Sequence, residues 1–136
     1  LGELFNGLSF KLTIAAVGGM ITGALGGWDT ALKALFIFVL FDYFTGLSAA
    51  WCEKKLNSEV GAKGIVKKIC LFVPVGVCFW LDNITGQSFL RSIAIFFYIA
   101  NEGLSIIENL GRMGIPIPPF IKTALEQLKK KADEQG

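Results

Sequence analysis

Four stretches of this chain are nearly free of charge over the length of a membrane crossing, and they limit its fold more than any other feature. Leu12 to Trp28 and Ile69 to Leu81 carry no charged residue, Ala34 to Cys52 carries Asp42 alone, and Ser92 to Ile107 carries Glu102 alone. A helix needs about 17 to 25 predominantly apolar residues to cross a bilayer. The runs therefore predict spans near residues 12–28, 34–52, 65–81 and 92–108. The third reaches span length only if Lys67 and Lys68 snorkel toward the headgroups. Apolar residues make up 53% of the chain and charged ones 18%, and the charges gather in a few places. The expected fold is an all-α integral membrane protein with about four transmembrane helices. A soluble bundle with charge-free core helices is the competing reading, and 136 residues leave room for one modest domain in either case.

The basic residues give an orientation. If connections alternate sides, one side receives Lys11, Lys54, Lys55, Lys63, Lys67, Lys68, Arg112, Lys122, Lys129, Lys130 and Lys131, and the other only Lys33 and Arg91. Short Lys- and Arg-rich loops stay in the cytoplasm, so both termini and the loop EKKLNSEVGAKGIVKK are expected there. A net charge of +2, with no aromatic residues interleaved among the basic ones, argues against a nucleic-acid surface. Anionic lipid headgroups are the expected partner of Lys54, Lys55, Lys63, Lys67, Lys68 and Arg112. Residues 1–111 are expected to form the transmembrane domain. Residues 112–136 follow as a hinge at MGIPIPPF, an amphipathic cytoplasmic helix and a solvated basic tail, KKKADEQG. The apolar stripe Ile121, Ala124, Leu125 and Leu128 would lie on the inner leaflet or against a neighbouring subunit.

Helix faces supply candidate contact residues. Ala15, Gly19, Gly23 and Gly27 recur every four positions and predict a ridge where another helix backbone approaches. The five glycines of this first run suit packing better than a cleaved leader. Asp42, Gly46 and Ala50 repeat the spacing on the second span. A charge at mid-helix costs about 2.5 to 3.5 kcal/mol to insert, so Asp42 is expected to face a partner helix, a water-filled cavity or both. On the fourth helix, Tyr98, Asn101, Glu102, Ser105, Glu108, Asn109 and Arg112 fall within a sector of about 120°. That face either lines water or forms a buried polar seam with Glu108 and Arg112 paired at i, i+4.

The residue inventory is poor in catalytic chemistry. There is no His, and Cys52, Cys70 and Cys78 form no CxxC pair, so neither a metal nor a cofactor is expected. Neither a Walker phosphate loop nor a GxSxG elbow occurs, and the expectation is a protein that is not an enzyme.

From about Phe41 to about Lys129 the chain resembles the small four-span phage-lysis and toxin-secretion holins. The resemblance rests on FDYFTGLSAA, the basic loop LNSEVGAKGIVKK, the Asp of WLDN, and the block NEGLSIIENLGRMGIPIPPFIK, in that order and spacing. Asp42, Asp82, Asn101, Glu102 and Asn109 match recurrent polar positions of that pattern. The resemblance implies a homo-oligomer in the bacterial inner membrane. Its lesions would release an endolysin or toxin that it does not stably bind, without catalytic residues. Two readings from other classes stay open: a small ion- or proton-coupled transporter using Asp42 or Glu102, and a membrane scaffold that recruits a soluble partner.

Overall fold

The computed structural model describes residues 1–135; the last residue of the expected tail, Gly136, lies outside them. The chain is all-helical: α1 (Gly2–Ala24), α2 (Thr30–Cys52), α3 (Ser58–Cys70), α4 (Phe72–Thr85), α5 (Leu90–Arg112) and α6 (Pro119–Gln135). Among the described residues, four segments are long and apolar enough to cross a membrane: Gly2–Ala24, Thr30–Cys52, the combined Ser58–Thr85, and Leu90–Arg112.

Local chemistry sets the helix ends. Asp29 caps α2, its carboxylate accepting from the Leu32 amide at 2.9 Å, and Asn57 caps α3 through the Val60 amide at 2.8 Å. Gly26 and Gly27 take φ of +96° and +101°, a left-handed backbone that stops α1. Gly86 ends α4 in the same way. Between α3 and α4, Leu71 keeps helical dihedrals, and Pro74 just beyond it removes one backbone donor. Hydroxyls within the apolar helices return to their own backbone: Thr45 Oγ1 donates to the Phe41 carbonyl at 2.7 Å and Ser48 Oγ to that of Phe44 at 2.8 Å. Inside a bilayer this satisfies both hydroxyl hydrogens without water.

Helix α5 is the hub, packed on α2, α4 and α6. The core is small and lies where α2, α4 and α5 meet, with Leu32, Leu35, Val39, Val75, Ile95 and Ile99 buried. Close approaches depend on missing side chains: Gly76 sits against Leu25, and Gly64 against the ring of Tyr43, whose hydroxyl donates to the Gly61 carbonyl at 3.1 Å. Outside this core the helices present Phe36, Phe44, Trp51, Ile69, Val73 and Ile84 to the surroundings. Such a surface suits hydrocarbon as its solvent.

Several expectations are corrected. α1 lies earlier than residues 12–28 and carries Lys11 near its middle, and no residue in it is buried. Gly27 falls beyond its end, so only Ala15, Gly19 and Gly23 share the ridge. The amphipathic α6 lies along α5 of its own chain, with Leu125 against Gly103 and Leu128 on the core. The tail continues this helix to Gln135 and buries Ala132, so KKKADEQ is not a free solvated end.

Candidate functional site

Asp42 and Ala50 are buried, and Gly46 leaves room for the Asn109 amide 3.5 Å from where its side chain would begin. α2 thereby approaches α5 closely enough for their polar groups to meet. Asp42 and Glu102, one from each helix, converge on a single ammonium, that of Lys68. Lys68 donates to Asp42 and, at 2.7 Å, to Glu102 Oε2. The Asn109 amide donates to Asp42 Oδ1 at 2.9 Å and to Thr45 Oγ1 at 3.1 Å. Arg112 Nη1 reaches Asn109 Oδ1 at 3.2 Å, and its Nε donates to Glu53 Oε1 at 2.6 Å. The result is one connected line of partners, Glu102–Lys68–Asp42–Asn109–Arg112–Glu53. It runs along the α2–α5 contact to the basic loop.

Two further corrections follow. Lys68 does not snorkel outward with Lys67; α3 packs on α2, and the ammonium turns inward between Asp42 and Glu102. Arg112 pairs with Glu53 and not with Glu108, which is exposed. Of the remaining fourth-helix candidates, Ser105 lies beside Asp42, while Tyr98 and Asn101 are half-buried on neighbouring turns. Lys54, Lys55, Lys63 and Lys67 stay at the surface, Lys63 paired with Glu59 at 2.9 Å. The Arg112 guanidinium holds the Glu53 carboxyl below its ordinary range. A line of this kind ties three helical segments together and keeps their charges from lipid.

A second cluster closes the opposite end. Arg91 Nε donates to the Leu25 carbonyl at 2.6 Å, Nη2 to that of Gly27 at 3.1 Å, and Nη1 to Asp29 Oδ2 at 2.7 Å. Asp82 accepts from the Leu90 and Arg91 amides, both at 3.0 Å, and so caps α5 from the end of α4 with a charge that suits the helix dipole. The guanidinium beside Asp29 holds that carboxyl below its usual value. Sequence reasoning missed the Arg91–Asp29 clasp. Its traces were readable, an Asp just ahead of an apolar helix and a lone Arg on the same side of the bilayer.

Four membrane-length helical segments, three of them tied by the Asp42–Lys68–Glu102 ion pairs, with an apolar exterior, define a multi-pass helical membrane protein. Residues 19–130 match the bacteriophage holin family. The chain belongs to that family. It is 39% identical over 123 residues to an uncharacterized 14.9 kDa protein in the nagH 3' region of Clostridium perfringens, covering 89% of this chain and 93% of the relative. It is 35% identical over 105 residues to a probable holin of Bacillus phage phi105, covering 76% of this chain and 78% of the phage protein. Uncharacterized protein YqxH of Bacillus subtilis is 34% identical over 104 residues, covering 76% and 74%. No solved structure matches the chain.

Proposed function

We propose that the protein acts as a holin: it oligomerises in the bacterial cytoplasmic membrane, with its N-terminus and basic loop inside, and opens lesions through which an endolysin or toxin leaves the cytoplasm. Family membership across residues 19–130 carries this reading. The chain's own geometry supports it. No residue of α1 is buried, and nothing lies within 4 Å of the space beside Gly19 or Gly23. A spanning helix with an open small-residue face has its natural partner in another copy of the chain. The lysines on the basic side would hold anionic headgroups. No catalytic role is assigned.

The test is expression in a bacterium that carries a folded cytoplasmic reporter, following reporter release together with membrane potential. A holin passes the reporter as the potential collapses. The Asp42, Glu102 and Lys68 cluster also favours a second reading, a small cation-coupled transporter, which would change the potential while the reporter stays inside. A scaffold would leave both unchanged.

A further inference from the structure

Helix α6 raises a problem of solvent that the rest of the fold does not. It lies antiparallel to α5: Leu125 meets Gly103, and further along the Lys129 ammonium sits 5.9 Å from the centre of the Phe97 ring. At 1.5 Å per residue, Phe97 is about 22 Å along α5 from Arg112, and the hydrocarbon core is about 30 Å thick. Docked α6 therefore reaches most of the way across the bilayer. Its inner face is apolar, with Leu128 on the core and Ala132 buried. Its outer face is not: Lys122, Glu126, Lys130, Lys131 and Glu134 are exposed, with Lys122–Glu126 and Lys130–Glu134 each 4.0 Å apart. Lipid against that face would strand a row of charges at bilayer depth, whereas water would satisfy it. The docked helix and a lipid neighbour on its outer side are thus mutually exclusive. We propose that α6, held on α5, is the water-facing wall of the lesion, an inference that rests on the holin reading.

The contact at Gly103 provides the test. With Cys52, Cys70 and Cys78 replaced by Ser, a Gly103→Cys, Leu125→Cys pair places a disulfide across the α5–α6 contact. The protein is reconstituted into vesicles of phosphatidylethanolamine and phosphatidylglycerol that hold a trapped fluorescent protein. The disulfide is expected to form, and the oxidised variant to release the cargo within about twofold of the reduced one. A tenfold loss on oxidation, regained with reductant, would mean that α6 must leave α5 and would overturn the assignment. So would a releasing assembly in which the disulfide does not form. No release from the unsubstituted protein would defeat the holin reading first and the inference with it. If the cysteine pair alone fails, a fluorophore on K130C in otherwise cysteine-free protein decides the matter. Aqueous iodide should quench it at least threefold more than bromine placed on the lipid chains, and the reverse order would overturn the proposal.

Discussion

Two carboxylates share one ammonium at the heart of the fold, and that imbalance governs what substitutions there should do. Removing Lys68 leaves Asp42 and Glu102 buried with no counter-charge. Stranding buried charge in this way costs about 3 to 5 kcal/mol. Lys68→Met should lower the thermal midpoint of the helical signal in detergent by that measure, and a K68M/D42N/E102Q variant, neutral throughout, should recover most of it. Unchanged melting of Lys68→Met alone would remove the ion pairs from the account of stability. The clasp at the other end predicts a pH dependence. The Asp29 carboxyl is held below its ordinary value, chiefly by the hydrogen bond from Arg91. A depressed folded value means that the clasp contributes fully above the ordinary aspartate range, near about 4, and is lost as pH falls through the folded value. Acid titration of the thermal midpoint should show a drop below that range. Asp29→Asn should flatten the drop, and an identical acid limb in that variant would assign it to other groups.

Among the helices, α5 depends most on what it lacks. A side chain begun at Gly103 would meet Leu125 Cδ2 at 2.6 Å, Cδ1 at 3.0 Å and Phe38 Cε2 at 3.2 Å. The nearest atoms are the far end of a flexible leucine, so Gly103→Ala should cost only about 1 kcal/mol, while Gly103→Leu overfills the contact and should displace α6. Trypsin cleavage at the α6 lysines should then quicken about tenfold, and an unchanged rate would show that the contact is not what holds the helix. The same helices show how far sequence reasoning reaches. α2 and α5 were legible as helices, though α2 begins a turn earlier, at Thr30, and α5 runs a turn further, to Arg112, because small and polar residues along them keep helical spacing. The first helix was placed late because Lys11 was read as a boundary and Gly27 as part of the ridge, whereas the positive φ of Gly26 and Gly27 stops α1 at Ala24. The inward turn of Lys68 was not legible. Periodicity along one helix gives its faces, but which face meets which neighbour depends on how α3 packs against α2 and on α5 arriving beside them.

A single chain buries little apolar surface in α2, α4 and α5, and none in α1. Most of the molecule's sticky area thus faces outward, and its assembly should be separable from its folding. Gly19 and Gly23 test this separation, because inside one chain there is open space beside both. A Gly19→Leu, Gly23→Leu variant should melt like the parent or slightly higher, since leucine favours helix more than glycine does. Between chains the same leucines would hold two helix backbones apart and remove the dispersion contacts that close packing supplies. The crosslinked oligomer fraction in membranes should fall about tenfold, equivalent to about 1.4 kcal/mol per contact, and reporter release should be delayed at equal expression. Gly46→Leu is the contrasting case, because its side chain would run into Asn109, so folding and assembly should fail together. If the α1 variant formed the same oligomers as the parent, copies of the chain would have to meet through some other face, and the small-residue ridge would be only a lipid-facing stretch of helix.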